Sequence, residues 1–455
     1  MPAIGSHHPR VYHGPSIPTT LSLLPRFHPT PAIHPCGNMD STAPNPPPDS
    51  PEAAPLGSVG LSHQTSAAGE PSANAPFRVL FLTPYYRPYL GGIERAIEEL
   101  STHLAHSPLI QRIGVLTSKY SFPRVPQPHW ADRETLPGEV DVFRLDGFPR
   151  RSPPYFSVPL VWFSPFRIRR FLEEFNPNVV HFVGDGWFWA HFWTWFWYRR
   201  KALFVFTPSF HSLPLTRQWL RPINGIISRT VDRVVALSRK ESEEVRRAYW
   251  VRPNKLAVVG WGAASPESTG GPPSDSVFTI LCVGRLGLHK GQRWLLDVYS
   301  AARGRFNRPV RLVLIGRDEG GDAEIRSWLA TQQMNSDVVL AGEVSDQELR
   351  RWYNSAHLLT LFSRYEAFGL VYFEAMAYGV PVLTHDVGAN RELLQRGAVL
   401  VPTFDAPAAT EELVRLVNDD AYRRRLGHEA RQYVAEHFTW DRVAQKYLEI
   451  YQEVP

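Results

Sequence analysis

From Phe77 onward, short apolar runs alternate with longer stretches in which apolar residues recur every three or four positions. Apolar runs without polar alternation mark strands buried on both faces, as in a parallel sheet. The stretches between them have helical periodicity. Strand–helix alternation of this kind builds a parallel sheet with helices on both faces. Candidate strands in the first series are Arg78–Leu82, Ile113–Thr117, Val140–Leu145, Val179–Val183, Leu203–Thr207, Val234–Leu237 and Leu256–Val259. The second series is Phe278–Val283, Val310–Ile315, Val338–Ala341, Leu358–Phe362, Val382–Thr384 and Val399–Val401. Residues 265–276, rich in Ser, Gly and Pro, read as a linker between them. The pattern predicts two doubly wound domains, 77–264 and 277–438, and a closing helix at Asp441–Tyr451 within 439–455. In such sheets ligands bind beyond the carboxyl ends of the strands.

The segment from Ser363 to Pro381 carries the most chemistry. The strand Leu358–Phe362 runs into Ser363, Gly369 permits a tight turn, and Leu370–Tyr378 reads as a helix closed by Gly379 and Pro381. The helix start presents free backbone N–H groups, a good seat for phosphate or sugar oxygens. Glu366 falls on the loop and Glu374 inside the helix. Eight residues of helix advance about 12 Å. That is too far for two carboxylates sharing a proton or a metal, and it suits two acceptors on one elongated ligand.

This segment resembles the Glu-X7-Glu signature of retaining GT-B glycosyltransferases, family 4 (group 1) type. The family run is E-x-F-G-L-x-x-x-E-A-M-A-x-G-x-P-V. Here Glu366-Ala367-Phe368-Gly369-Leu370 and Glu374-Ala375-Met376-Ala377-Tyr378-Gly379-Val380-Pro381-Val382 match it. A second motif lies upstream. The strand Phe278–Val283 leads into Gly284-Arg285-Leu286-Gly287-Leu288-His289-Lys290-Gly291 and an amphipathic helix, Gln292–Ala302. Two cations five apart on a glycine loop can straddle a diphosphate, arginine by its fork and lysine as a point charge. The loop resembles the family's G-R-L-x-x-x-K-G, whose Arg and Lys bind the donor pyrophosphate. In the first half, Thr83 to Arg95 contains Gly91-Gly92-Ile93-Glu94-Arg95, similar to the family's P-x-x-G-G-x-E-R loop. Paired glycines there let the backbone approach a ligand at the start of a helix, Ile93–Leu104.

The chain departs from the family pattern in places. The subgroup string T-P-H-x-H reads Thr207-Pro208-Ser209-Phe210-His211, so only His211 remains as a candidate. The N-G pair after the strand Leu256–Val259 reads Trp261-Gly262, and the G-x-G after Val310–Ile315 reads Gly316-Arg317-Asp318. These changes bear on the polar contacts to the donor, including its base.

The resemblance covers about Phe77 to Val454. It implies a GT-B fold with a cleft between the domains, an acceptor-side first domain, and a final helix crossing back to it. It implies transfer of a sugar from a nucleotide diphosphate sugar to the hydroxyl of a glycan or glycolipid acceptor, with retention. Arg285, Lys290, Glu366 and His211 take catalytic roles by this resemblance. Gly91, Gly92, Gly284, Arg285, Lys290, Phe368, Gly369, Leu370 and Glu374 take donor-binding roles. Glu366 would hold the donor sugar and Glu374 the ribose. The fold typically needs no metal, and no Asp-X-Asp motif stands near the cleft loops. A sugar-nucleotide epimerase on the same fold and a non-catalytic sugar-nucleotide scaffold remain alternatives.

Composition adds three points. Residues 1–76 hold 16 of 41 prolines and six of 17 histidines, with few large apolar residues, and read as a disordered tail. Met39 is a second candidate start. The tail has two arginines and four acids, a net −2, which leaves +7 on the remainder and favours anionic partners. Two cysteines exclude a disulfide framework and fit a reducing, cytoplasmic compartment. No 18-residue apolar run and no signal-peptide pattern occur. Lastly, the aromatic run 187–198 precedes Arg199-Arg200-Lys201. It is either a helix buried against the sheet or a contact with an anionic membrane surface, peripheral on the inner face. No nucleic-acid-binding module is present.

Overall fold

The computed structural model describes residues 76–121, 125–149, 161–184, 187–209, 220–264, 266, 277–287, 289–334 and 336–453. The predicted tail other than Pro76, the linker other than Pro266, and His211 lie outside the described residues. The described residues all belong to one compact unit.

Two sheets account for the alternation. The first has eight strands: β1 (Phe77–Leu82), β2 (Ile110–Ser118), β3 (Arg133–Leu136), β4 (Val140–Leu145), β5 (Val179–Val183), β6 (Leu203–Thr207), β7 (Arg233–Ala236) and β8 (Leu256–Val258). Their spatial order is β8-β7-β6-β5-β1-β2-β4-β3. Every pairing is parallel except β3 with β4. β3 escaped the sequence reading because it reads Arg-Glu-Thr-Leu: an edge strand with one face in water needs few apolar residues. The second sheet is wholly parallel and comprises β9 (Phe278–Val283), β10 (Val310–Ile315), β11 (Val338–Gly342), β12 (Leu358–Leu361), β13 (Val382–His385) and β14 (Ala398–Val401). Its order is β11-β10-β9-β12-β13-β14.

Each sheet reverses its winding at one point, between β1 and β5 in the first and between β9 and β12 in the second. Loops leaving the carboxyl ends of adjacent strands diverge there, which opens a crevice. Helix α1 (Gly92–Ala105) follows β1 and buries Ala96, Ile97, Leu100 and Leu104, the spacing of one helix face. Helix α9 (Leu370–Ala377) follows β12 and stops where Gly379 takes φ +75° ahead of Pro381. Ser345 caps helix α8 (Asp346–Ser355) by accepting the Glu348 N–H at 3.2 Å.

Helix α13 (Trp440–Gln452) packs on α1 and on the first sheet. The Tyr451 hydroxyl lies 3.0 Å from His181 Nδ1, and His181 Nε2 lies 2.9 Å from Thr207 Oγ1. Burial pushes the His181 imidazole down to about 3, so it stays neutral in this network. Trp261, standing where the family has Asn, packs its ring against Trp440 and Tyr447. A Cβ on Gly262 would come within 2.8 Å of Trp440, so the glycine lets this helix seat. The second domain's chain thus completes the first domain's core.

Candidate active site

A cavity of about 310 Å³ lies where the two switch points face each other. Its walls come from the loops after β1, β5, β6, β9 and β12. Gly91, Gly92, Gly284, Arg285, Lys290, Glu366, Phe368, Gly369 and Leu370 all line it. So the motifs that are separate in sequence meet around one space. Glu374 does not line the cavity, and nothing is described for His211.

The donor-side loops interlock through backbone contacts. Gly291 has φ +73°, and a Cβ there would lie 2.0 Å from the Phe362 carbonyl oxygen. Gly388 has φ +57°, and its Cβ would fall 1.9 Å from the carbonyl oxygen of Glu366. Neither position accepts a side chain without moving the loop that carries Ser363 to Glu366. Gly369 is the left-handed N-cap of α9, so the first N–H groups of that helix open toward the cavity. Ser209, at the end of β6, also lines the cavity and holds φ +50°. A left-handed non-glycine residue costs roughly 1–2 kcal/mol, strain of a kind that clusters at ligand sites.

The charged groups in and beside the cavity are paired. Lys290 Nζ donates to Glu366 Oε2 at 2.9 Å, and Ser363 Oγ donates to the same oxygen at 3.2 Å. Both partners of the ion pair are largely buried. One Arg285 nitrogen reaches both oxygens of Glu319, at 2.9 and 3.0 Å. Glu374 receives the Tyr353 hydroxyl at 2.7 Å and Arg95 Nη1 at 3.3 Å. Arg95 also pairs with Asp346. Arg95 belongs to α1 and its partners to the second domain, so this cluster fastens the two halves beside the cleft. On the second domain, Glu392 receives the N–H groups of Arg239 and Lys240 at 2.7 and 2.9 Å, a second fastening at the start of helix α5 (Arg239–Tyr249). Nothing in the linear pattern marked Glu319 or Gly388, and Arg95, though it closes the Gly91–Arg95 motif, gave no sign of its pairing with Glu374. Their roles depend on how two distant loops dock. No group of three or more His, Cys, Asp or Glu among the described residues is placed to hold a metal ion.

Glu94 is the other carboxyl in the cavity wall. Its Oε2 accepts the Gly91 N–H at 2.9 Å, and Tyr89, Arg285 and Arg317 face it. Burial pushes its carboxyl up to about 7, overriding the lowering by its own and Gly91's N–H groups and by the two arginines. A carboxyl raised from about 4.5 takes up a proton on folding. Its contribution to stability is therefore full below pH 4.5 and lost as pH rises toward 7, by roughly 3 kcal/mol. Glu94→Gln keeps an oxygen for Gly91 but does not titrate. Urea unfolding at pH 5 and pH 7.5 should show the parent losing stability relative to the variant at the higher pH. Parallel pH dependence in both proteins would contradict this.

Similarity to known proteins agrees with this geometry. Residues 90–263 match the family model for Glycosyltransferase Family 4, and residues 277–419 match that for Glycosyl transferases group 1. The chain belongs to the family 4, group 1 glycosyltransferases. Among relatives of this family 4 chain, D-inositol 3-phosphate glycosyltransferase of Xylanimonas cellulosilytica is 31% identical over 240 residues, 48% of this chain and 56% of that protein. Against that relative, the match spans about half its length. GDP-mannose:cellobiosyl-diphosphopolyprenol alpha-mannosyltransferase of Komagataeibacter xylinus is 27% identical over 396 residues, 83% of this chain and 93% of that protein. Sucrose-phosphate synthase of Thermosynechococcus elongatus superposes with a TM-score of 0.65 at 19% identity, covering 82% of this chain and 98% of that one. Anabaena HepE, solved with UDP and glucose, gives 0.65 at 17% identity, covering 83% and 100%. The two sheets and the cleft between them are the GT-B fold.

Proposed function

We propose that this family 4 member is a retaining glycosyltransferase. It moves a sugar from a nucleoside diphosphate sugar to the hydroxyl of a lipid-linked or polysaccharide acceptor, working peripherally at the cytoplasmic face of a membrane. The observation that carries this reading is the meeting of Arg285, Lys290, Glu366 and the start of α9 around one cavity. Two cations and a helix N-terminus suit a diphosphate, and Glu366 beside them suits a sugar hydroxyl. The relative matched over most of its length is named for a GDP-mannose donor and a polyprenol-linked acceptor, and HepE was solved with UDP, which supports the donor and acceptor classes.

The chemistry breaks the bond between the sugar's anomeric carbon and the phosphate oxygen. It forms a bond from the same face to the acceptor oxygen. The acceptor proton passes to the departing phosphate oxygen, so charge and atoms balance. Arg285 and Lys290 stabilise the negative charge that grows on the diphosphate, and the N–H groups of α9 add to it. Arg285 must exchange or share Glu319 for phosphate, an exchange favoured by the higher phosphate charge. Glu366 is poorly suited as a nucleophile, since Lys290 and Ser363 both occupy Oε2. Glu94 is held by Gly91 and leans toward its neutral form. Front-face attack, with no covalent sugar on the protein, is the route these residues favour. Closure of the two halves then excludes water from the donor.

The test is incubation with a panel of nucleoside diphosphate sugars and a lipid-phosphate glycan acceptor, with mass and anomeric NMR analysis of products. Transfer with retained configuration, and slow donor hydrolysis without acceptor, are expected. An inverted product overturns retention. A changed sugar nucleotide with no transfer means an epimerase. Binding with no turnover means a scaffold.

A further inference from the structure

The aromatic helix is built inside out. Helix α3 (Phe188–Tyr198) has eight Phe, Trp or Tyr residues in eleven and no acidic or basic side chain but His191. A helix packed on a sheet normally turns its largest apolar side chains inward. Here Ala190, His191, Thr194 and Tyr198 are the buried residues, and His191 bonds Thr230 at 2.8 Å. Phe188, Trp189, Phe192, Trp193, Trp195 and Trp197 are only half-buried, and Phe196 is 40% exposed. Phe188, Phe192 and Phe196 stack in a row with 6.2 Å between successive rings. Beside them, at the start of helix α2 (Pro165–Phe175), Phe166 is 75% exposed.

Cations rim this face. Arg199 lies over the Trp195 ring at 5.2 Å, and Arg169 of α2 lies over Trp197 at 4.9 Å. Arg169 is neutralised by Glu173 at 2.8 Å. Arg170, Arg199, Arg200 and Lys201 are exposed, with no ion-pair partner among the described residues. Eleven helical residues span about 16 Å, roughly half of a hydrocarbon core, so the helix can lie in an interface but not cross it. No described helix is long and apolar enough to cross a membrane. The helix follows β5, whose end, Val183 and Gly184, lines the cavity.

We propose that this face seats on an anionic bilayer, with the phenylalanine row entering the acyl boundary and the four unpaired cations on lipid phosphates. The inference deepens the proposed acceptor class and takes its purpose from that reading: a membrane bound here would lie beside the cleft. A second copy of this chain is a poor occupant, since a two-fold interface would press the same unpaired cations together. An anionic surface complements all of them at once.

The experiment is co-sedimentation of the full chain with phosphatidylcholine vesicles, with and without phosphatidylglycerol, at low and high salt. Binding should require the anionic lipid and weaken as salt rises. Arg199→Ser, Arg200→Ser and Lys201→Ser together should weaken it about a hundredfold, at the worth of each cation near a lipid surface. Phe166→Asp with Phe196→Asp, both at exposed sites, should weaken it further at high salt, where the apolar part dominates. Both variants should keep the parent's melting temperature and nucleoside diphosphate affinity. No binding by the folded parent, equal binding by the triple variant, or an aromatic-dependent dimer in sedimentation would overturn the proposal. Nucleotide binding is read without lipid, so failure of the transferase reading shows there, apart from the vesicle result.

Discussion

Replacing Lys290 with alanine should lower kcat by on the order of a hundredfold, the scale on which one preorganised group acts at a developing charge. The lysine is largely buried and sits on Glu366 at 2.9 Å before any donor arrives. Its position is therefore set in advance, and little reorganisation is needed when the diphosphate starts to leave. The Glu366 carboxylate also loses its counter-charge in the variant. Lys290→Arg checks this: it restores charge but not shape, and should recover only part of the rate. Steady-state kinetics with a saturating donor measures the effect. An unchanged kcat in Lys290→Ala would remove this residue from the leaving-group role.

The second large effect divides the two glutamates. Glu374→Ala should weaken affinity for the free nucleoside diphosphate by roughly ten- to a hundredfold, the worth of a hydrogen bond to a charged group. Glu366→Ala should leave that affinity nearly intact and impair transfer, because its partner is the sugar. Glu374 already accepts from Tyr353 and Arg95. A carboxylate has about four acceptor positions, so ribose hydroxyls can join them if the halves shift slightly. Arg95→Met separates two explanations. If Glu374 acts only by fastening the domains, Arg95→Met should reproduce the loss seen in Glu374→Ala. If it holds the ribose, Arg95→Met should leave nucleotide affinity close to that of the parent. Titration calorimetry with the nucleoside diphosphate decides between them. Equal losses in Glu366→Ala and Glu374→Ala would refute the division of roles.

Parallel strands buried on both faces leave unbroken apolar runs, which is why thirteen strands could be located from the pattern to within a few residues. The loops after β9 and β12 were legible for a different reason. Glycines, cations and glutamates stand there in the order of the family's G-R-L-x-x-x-K-G and Glu-X7-Glu motifs, so the resemblance marked them. What stayed hidden was whatever depends on the docking of distant parts. Arg285 and Glu319 are 34 residues apart, and Arg95 and Glu374 are 279 apart. Gly388 backs onto Glu366 from another loop. Trp261 looked like a lost polar contact and is instead part of the packing under α13. The aromatic helix was ambiguous because composition does not say which side faces in. Only its rotation on the sheet, which turns Ala190, His191, Thr194 and Tyr198 inward and leaves the phenylalanine row outward, separates a core helix from an interfacial one.

The seating of α13 on the first sheet has a consequence for biosynthesis. His181 and Tyr451, which meet in that packing, are 270 residues apart. A ribosome adds about 5–20 residues per second, so roughly 15–50 seconds separate their emergence. Throughout that interval the nascent first domain lacks the helix that covers Trp261 and the His181 pocket. It must wait with apolar surface uncovered, a state that invites chaperone capture while the rest of the chain is made.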